Sequence, residues 1–330
     1  MNVLSLFDGM SCGQIALKEL GINVSNYYAA EIDKYAIEQT MLNFENTKQL
    51  GSVTEVKGQD LPQIDLLIGG SPCQGFSFAG KQLNFDDPRS KLFFEFVRLL
   101  KECKPKYFLL ENVKMKKEYE AVITEQLGVE PITINSSLVS AQNRVRLYWT
   151  NIPNIKQPED KGILLEDIVD DGGVLKEKSQ TILATIYKEN AKSMIKRNKQ
   201  GLLVFCGAMR GRYLIDGKRQ DGKMKVAGLT KQRIEVRYDG KTNALTTVAK
   251  DNNIVYEADG RPYYNLEEVK FRKLTVNECA KLQTIPDWYK WKVSDTQRYR
   301  MLGNGWTVDV IAHIFQQLPT LVSEARSENS

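Results

Sequence analysis

Residues 2–20 read NVLSLFDGMSCGQIALKEL, and this stretch decides the fold. Asn2–Phe7 is a short apolar segment typical of a buried strand, and Gln14–Leu20 has the apolar spacing of a helix. Between them, the glycines of FDGMSCG let the backbone turn sharply and let a ligand come close to it. The stretch therefore predicts a strand, a candidate ligand-binding turn and a helix, which is the first half of a βαβ unit.

The same alternation continues through the first 150 residues. Buried-strand patterns cover Tyr27–Ala30, Ile64–Ile68 and Tyr107–Leu110, and helical patterns cover Lys34–Asn43 and Ser90–Lys101. Strands that alternate with helices predict an α/β fold with a mostly parallel sheet. Because ligands of such sheets bind at the carboxyl ends of the strands, the residues that follow each strand are the candidate site residues.

Charge is unevenly distributed along the 330 residues, whose formal net charge is +5. Residues 172–271 hold 20 Lys and Arg against 11 Asp and Glu, whereas the remainder holds 26 against 30. This basic segment follows a break at residues 170–173 and combines many Gly and Lys residues with short β-type pieces. We predict a loop-rich second lobe that faces nucleic acid, although on charge alone a solvated lysine-rich surface explains the segment equally well.

The cysteine, histidine and hydropathy patterns argue against several classes of protein. The five cysteines are odd in number, widely spaced and without a CxxC pair, which argues against a disulfide framework or a zinc cluster and favours a reducing cytosol. The only histidine, His313, lies in a helical pattern and is expected to be structural, which argues against a catalytic triad or a His-ligated metal. No apolar segment approaches the roughly 20 residues that span a bilayer, and the N-terminus does not resemble a secretory signal.

Polar residues that follow the predicted strands are the candidates for chemistry. Glu31 ends the second strand about 20 residues after the glycine turn, where a carboxylate can accept hydrogen bonds from ribose hydroxyls. Cys73 lies on a Pro- and Gly-rich loop after the next strand, in the position of a nucleophile, although a free cysteine is more often a small buried hydrophobe. Glu111 follows a further strand, and the strand period of two places Arg144 and Arg146 on one side.

Taken together, these motifs resemble those of the cytosine-C5 DNA methyltransferases. The resemblance covers residues 3–153 and 271–315, and its motifs occur in the family's order as FDGMSCG, GGSPCQGFS, DDPRSKLFFEFVRLL, ENV, QNRVR, RKLTVNECAKLQTIPDWY and LGNGWTVDVI. It implies a Rossmann-like, S-adenosylmethionine-dependent methyltransferase fold with a smaller, loop-rich, β-containing target-recognition lobe. We expect a catalytic and cofactor-binding domain at 1–171 and 303–330, the recognition lobe at 172–270, and a supporting segment at 271–302.

The resemblance also implies roles for individual residues. The catalytic residues would be Cys73, as the nucleophile, with Glu111, Arg144 and Arg146. The residues that bind S-adenosylmethionine would be Phe7, Asp8, Gly9, Gly13, Glu31, Ile32, Ser52, Val53, Pro72, Leu92, Asn304 and Trp306. Candidates for DNA contact are Gln74, Arg210, Arg212, Arg219, Arg233 and Arg237.

Two motifs depart from the family pattern. Ser52 stands where many members carry an aspartate that holds the cofactor adenine, so its hydroxyl or a backbone carbonyl would have to substitute. Trp306 replaces an aliphatic residue and Asp309 replaces a proline, and both variations are similar to the animal de novo DNA methyltransferases. We expect the catalytic core to be intact.

The family mechanism implies that a target cytosine is flipped out of duplex DNA and methylated at C5 through a covalent adduct between Cys73 and C6. The implied partner is double-stranded DNA, with a cognate restriction endonuclease as a functional partner, and we expect a monomer in the cytoplasm of a bacterium or a phage-infected cell. Three alternatives remain: a tRNA cytosine-C5 methyltransferase, a catalytically inactive DNA-binding subunit, and a nicotinamide-dependent oxidoreductase, which the absence of GxGxxG disfavours.

Overall fold

The computed structural model describes residues 1–71, 88–170, 205–220, 230–245, 252–256, 258, 260–268 and 270–319. Its centre is a seven-stranded sheet in the order β3-β2-β1-β4-β5-β8-β6. The strands are β1 Asn2–Leu6, β2 Asn26–Ala30, β3 Lys48–Gln49, β4 Leu66–Gly69, β5 Tyr107–Val113, β6 Ile132–Asn135 and β8 Val145–Thr150, with the two-residue β7, Gln142–Asn143, just before β8. The first five strands of the sheet are parallel, and β8 runs antiparallel to both of its neighbours.

Helices lie between the strands of the central sheet, and, within the residues described, three more follow the strand Lys270–Lys273. They are α1 Cys12–Glu19, α2 Lys34–Asn43, α3 Pro88–Cys103, α4 Lys117–Leu127, α5 Val276–Leu282, α6 Asp295–Asn304 and α7 Val308–Phe315. Local sequence explains several of their ends. Asp33 caps α2 by accepting from the backbone N–H of Tyr35, and Thr275 and Glu278 form a reciprocal capping box at α5. Gly128 ends α4 with a φ of 70°, a conformation that glycine adopts without steric cost.

Helices cover both faces of the sheet. Consecutive residues of β1 point to opposite faces, so Val3 packs with α1 and α7 while Leu4 packs against α3. The central residues of β1, β4 and β5 are therefore mostly apolar, because both faces of these strands are buried. In the described part of the chain, no helix is both long and apolar enough to cross a membrane.

A second, antiparallel sheet forms the smaller lobe, in the order β15-β12-β9-β14-β16. Its strands are β9 Phe205–Arg212, β12 Lys231–Arg237, β14 Asn253–Tyr256, β15 Tyr263–Tyr264 and β16 Lys270–Lys273, and between β9 and β12 a hairpin pairs β10 Leu214–Ile215 with β11 Lys218–Arg219. One face carries its own apolar cluster around Phe205 and Ile234, and Cys206 on the other face joins the main core. A short strand, β13 Thr242–Asn243, pairs in parallel with β7 and links the part of the chain after β12 to the segment just before β8.

The predicted fold class is confirmed: the protein is α/β with a mostly parallel central sheet and an additional β region. The prediction ended the strand of Glu111 before that residue, whereas β5 continues to Val113 because it pairs with β8. The lobe sheet continues to Lys273, three residues beyond the predicted lobe boundary, since β16 pairs with β14. The division into domains stays a prediction.

Candidate active site

A cavity of about 460 Å³ lies at the carboxyl ends of β1, β2, β4 and β5. Thirteen of the predicted site residues line it, which are Phe7, Asp8, Gly9, Glu31, Ile32, Ser52, Val53, Leu92, Glu111, Arg144, Arg146, Asn304 and Trp306. Residues that are up to 299 positions apart in the chain thus meet in one place. This is the end of the sheet where ligands of parallel α/β folds bind.

The turn after β1 has an unusual backbone that shapes one wall. Phe7, Gly9 and Ser11 have φ values of 59°, 58° and 65°, in the left-handed region that residues other than glycine rarely adopt. The backbone N–H of Phe7 donates to the carbonyl of Ala30 at 2.9 Å, which ties the turn to the end of β2. Strain of this kind persists where the surrounding structure enforces it, and it is often found at ligand-binding sites.

Glu31 is held by the backbone on both of its oxygens. Oε2 accepts from the N–H of Gly9 at 2.7 Å, and Oε1 accepts from the N–H groups of Ile32 and Asp33 at 2.8 Å each. Beside it, the Ile32 side chain is 77% exposed although it lines the cavity. A fixed carboxylate next to an uncovered apolar side chain can bind a sugar hydroxyl and an aromatic ring together.

Asp8 is a buried carboxyl at the base of the cavity. The Tyr27 hydroxyl donates to its Oδ1 at 2.9 Å, while Oδ2 is buried and has no hydrogen-bond partner among the described residues. Burial raises the pKa of Asp8 to about 6. Interactions with the hydroxyls of Ser5, Ser11 and Tyr27 act in the opposite direction and lower this pKa. A carboxyl group in the lining of the cavity is suited to a cationic ligand.

Glu111 lies on β5 and is 8% exposed. Its Oε2 accepts from the indole Nε1–H of Trp306 at 3.1 Å. Its Oε1 is 2.9 Å from Arg146 Nε, an ion-pair distance without the angle of a hydrogen bond. Gly70 leaves room for this contact, because a Cβ there would lie 3.1 Å from Oε2 and 3.0 Å from the indole nitrogen.

The loop that contains the predicted nucleophile begins at the cavity wall. Ser71 lines the cavity, and its hydroxyl and carbonyl accept from the side-chain amide of Asn112 at 3.2 and 3.4 Å. Asn112 thereby connects the start of this loop to the strand of the candidate acid, a role that its place in the ENV motif could have suggested. Cys73, Pro72 and Gln74 lie outside the described residues, and their predicted roles stay predictions.

Arg144 and Arg146 both line the cavity, but their guanidinium groups make different contacts: that of Arg146 lies beside Glu111, and that of Arg144 binds backbone carbonyls. Arg144 is 3% exposed, and its terminal nitrogens donate to the carbonyls of Leu245, Gly303 and Gly305 at 2.8–3.4 Å. Burial and the neighbouring Arg146 lower the pKa of Arg144 to about 10. These bonds hold the lobe and the segment before α7 against the sheet, which favours a supporting role over the predicted contact with the reacting base.

Among the predicted cofactor-binding residues that the structure describes, Gly13 does not line the cavity. It lies on α1, where an added Cβ would meet Ile68 Cδ1 at 2.4 Å. The absence of a side chain therefore lets the helix approach β4 closely. This is a packing role, and it brings the N-terminal end of α1 close to the strands that carry the site.

Burial suppresses the reactivity of the cysteines in the described part of the chain. Cys12 lines the cavity, yet burial raises its pKa to about 12. Burial likewise raises the pKa of Cys206 to about 11 and that of Cys279 to about 12, and it raises that of Cys103. Since the thiolate is the reactive form, these four are poor nucleophiles at neutral pH.

Sequence reasoning missed several residues of the cavity wall. Arg300 of α6 and Asp33 form an ion pair of 3.1 Å at its rim, and no local pattern marks Arg300 as a site residue. Gly51, with a φ of 74°, turns the chain after β3 and presents Ser52 to the cavity. The Ser52 hydroxyl lies 2.8 Å from the Thr54 hydroxyl, so a neighbouring side chain orients it.

The lobe gathers most of the predicted DNA-contacting arginines on one sheet face. The β9–β12 register places Arg210 opposite Arg233 and Arg212 opposite Lys231, and directly opposed residues of antiparallel strands share a face. Arg237 occupies the same face but pairs with Asp239, and Arg212 pairs with Glu235 at 2.5 Å. The fifth arginine, Arg219, is exposed on β11 of the separate hairpin.

A family comparison identifies the chain. The family model described as C-5 cytosine-specific DNA methylase matches residues 1–320. The chain belongs to this family of cytosine-specific DNA methylases. The methylase family predicted from the sequence motifs is thereby confirmed.

Individual relatives of the methylase agree with this assignment. It is 28% identical to the type II methyltransferase M1.ScrFI of Lactococcus lactis subsp. cremoris, over 98% of this chain and 79% of the relative. It is also 28% identical to the type II methyltransferase M.HhaI of Haemophilus parahaemolyticus, over 95% and 93% of the two chains. A solved E. coli prophage protein, titled as a candidate DNA modification methyltransferase, shares the fold with a TM-score of 0.63 and 21% identity over 98% and 99%.

Proposed function

We propose that this methylase transfers a methyl group from S-adenosylmethionine to C5 of a cytosine in double-stranded DNA, within a specific sequence context. One observation carries the proposal. Glu111, with Arg146 and Trp306 around it, shares a single cavity with Asp8 and Glu31, and this cavity joins a nucleoside-type pocket to a candidate acid.

The residues of the cavity fit the proposed cofactor. Glu31 is oriented to accept from ribose hydroxyls, and Ile32 offers an uncovered apolar surface to an adenine ring. Asp8 lines the same cavity, and its carboxyl group suits the positively charged end of S-adenosylmethionine. When bound, the cofactor supplies an electrophilic methyl group for C5.

Three residues would act on the cytosine itself. The Cys73 thiolate adds to C6, which makes C5 electron-rich, and it leaves again once a base has removed the C5 proton after methylation. Glu111 holds N3 and the exocyclic amine, and proton sharing with N3 draws electrons from the ring during the addition. Arg146 stabilises the charge that develops on the cytosine carbonyl, since its guanidinium lies beside Glu111. Arg144 positions the surrounding segments.

The nucleophile assignment to Cys73 draws support from the other cysteines. The four in the described residues are all disfavoured by raised pKa values. Cys73 follows two residues after Ser71, which Asn112 fixes at the cavity wall.

The DNA would lie across the cavity mouth and the lobe at 172–270, which we propose as the target-recognition domain. C5 and C6 of a stacked base cannot be reached, so the target cytosine must be flipped into the cavity. Arg210 and Arg233 oppose each other on one sheet face, and directly opposed like charges repel. DNA phosphates would reduce this repulsion, and binding should therefore weaken steeply with salt.

We further propose that the protein acts as a monomer in the cytoplasm of a bacterium or a phage-infected cell. Its relatives support a bacterial or phage setting, because type II methyltransferases of bacteria and an orphan methyltransferase of Bacillus phage SPR are among them. A cognate restriction endonuclease would be its functional partner.

The test is methyl transfer from radiolabelled S-adenosylmethionine to duplex DNA and, in parallel, to transfer RNA. We expect labelled DNA with the wild-type protein, no label with Cys73→Ser, and retained DNA binding by that variant. A duplex with 5-fluorocytosine at the target should trap a covalent complex. Label on transfer RNA instead of DNA, or full activity of Cys73→Ser, would overturn the proposal.

A further inference from the structure

We propose that Trp306 is a positioning residue for Glu111, in addition to being a wall of the cofactor cavity. The inference rests on the proposed function, in which Glu111 is the group that holds the cytosine. The contact that carries it is the indole Nε1–H of Trp306, which donates to Glu111 Oε2 at 3.1 Å. An aliphatic residue, which the family motif usually has at this position, has no donor to offer.

The second donor matters because of how a carboxyl group moves. The terminal torsion of a glutamate side chain has a broad preference, so a carboxyl restrained at one oxygen still rotates. Arg146 of β8 lies beside Oε1, and Trp306, which precedes α7, binds Oε2. Two groups from different elements thus fix the plane in which Glu111 would meet the edge of the base.

The indole is itself fixed by buried groups on either side of it in the chain. The carbonyl of Gly305 accepts from the Arg144 guanidinium at 2.8 Å and from the Gln283 amide at 3.1 Å. On the other side, the Thr307 hydroxyl donates to Gln283 Oε1 at 2.9 Å. Arg144 and Gln283, which make these hydrogen bonds, are both almost fully buried. The segment that carries Trp306 is therefore rigidly supported.

Gly70 packs closely against the hydrogen bond between Trp306 and Glu111. A Cβ at this residue would lie 3.0 Å from the indole nitrogen and 3.1 Å from Glu111 Oε2, which are the two ends of the hydrogen bond. Contacts this short require a neighbour to yield by a few tenths of an ångström, and here both neighbours are ends of the hydrogen bond. Gly70→Ala is therefore a second way to perturb the bond, without altering either partner.

The location of the ring predicts a specific kinetic effect. Trp306 lines the cavity with its ring, while its N–H reaches the carboxyl. Trp306→Phe keeps an aromatic wall and removes only the donor. Loss of a hydrogen bond to a charged group corresponds to roughly a 10- to 100-fold change, which we expect in kcat. The Kd for S-adenosylhomocysteine should change by less than about threefold, because the wall remains.

The experiment compares wild type, Trp306→Phe and Gly70→Ala with a matched control, Trp288→Phe. Trp288 also donates its indole N–H to a carboxylate, Glu19 Oε1 at 2.7 Å, but neither of these two residues lines the cavity. Single-turnover methylation is measured on a duplex that carries the recognition sequence, and S-adenosylhomocysteine binding is measured by calorimetry. We expect both site variants to be slow with near-normal binding, and the control to behave as wild type.

A double variant then shows whether Trp306 acts through Glu111. Trp306→Phe should add no further loss to Glu111→Ala, because the group that it positions is gone. Wild-type kcat in Trp306→Phe, a loss confined to S-adenosylhomocysteine binding, or full additivity with Glu111→Ala would overturn this inference alone. A wild-type protein that does not methylate DNA would overturn the proposed function and this inference with it.

Discussion

Replacing Asp8 with asparagine should stabilise the cofactor-free protein progressively as the pH rises. Burial raises the pKa of this carboxyl from its ordinary value of 3.8 to about 6, so the folded state prefers the protonated form. Below pH 3.8 the group is protonated in both states and costs nothing. As the pH rises through about 6, the folded protein must hold a buried charge, and the associated stability is lost.

The magnitude follows from the two pKa values. Each pH unit between 3.8 and about 6 corresponds to about 1.36 kcal/mol, which gives a full cost of about 3 kcal/mol at pH 8. At pH 5 the same expression gives roughly half of this cost. The advantage of Asp8→Asn over wild type should thus grow by roughly 1 kcal/mol between pH 5 and pH 8. The unpaired amide N–H of the asparagine lowers the advantage at both pH values equally, so it cancels from this difference.

Urea denaturation of both proteins at pH 5 and pH 8 measures this difference directly. All other titrating groups are shared, and their contributions cancel between the two proteins. Tyr27→Phe provides a check in the opposite sense, because it removes a hydrogen bond that stabilises the Asp8 carboxylate. An advantage of Asp8→Asn that stayed constant or shrank between pH 5 and pH 8 would refute the assignment of Asp8 as a buried, destabilised carboxylate.

Three further substitutions test the packing of α1, the supporting role of Arg144 and the ribose contact of Glu31. Gly13→Ala should lower the free energy of unfolding by about 1–3 kcal/mol in urea, since the new methyl group collides with Ile68; an unchanged value would contradict the close packing of α1. Arg144→Met should lower it by at least about 3 kcal/mol, because the buried carbonyls of Leu245 and Gly303 lose the Arg144 donor and that of Gly305 keeps only Gln283; wild-type stability would exclude the supporting role. Glu31→Ala should weaken S-adenosylhomocysteine binding by at least about tenfold in calorimetry, and a change below twofold would exclude the ribose contact.

Local sequence patterns predicted the positions of the sheet strands because both faces of the sheet are buried. The apolar segments at Asn2–Phe7 and Tyr27–Ala30 correspond to β1 and β2, and the helix at Lys34–Asn43 begins and ends where its pattern does. The extension of β5 past Glu111 was missed because it depends on pairing with β8, which is a nonlocal interaction.

The geometry of the site was only partly predictable. Motif order brought Glu31, Glu111 and Trp306 to one site, but no local pattern reveals a hydrogen bond between residues 195 positions apart. The period-two argument placed Arg144 beside Arg146, and both do line the cavity. Arg144, however, lies between β7 and β8 and not within a strand, so its guanidinium binds the carbonyls of distant segments.

Bisulfite sequencing of cellular DNA detects cytosine-C5 methylation and its sequence context together. The protein and Cys73→Ser are expressed separately in a bacterial host that lacks its own cytosine methylases, and the host DNA is then sequenced. We predict that wild type protects cytosines within one recurrent sequence context and that Cys73→Ser protects none. Complete conversion of the cytosines in cells that express the wild-type protein, or equal protection by the variant, would contradict it.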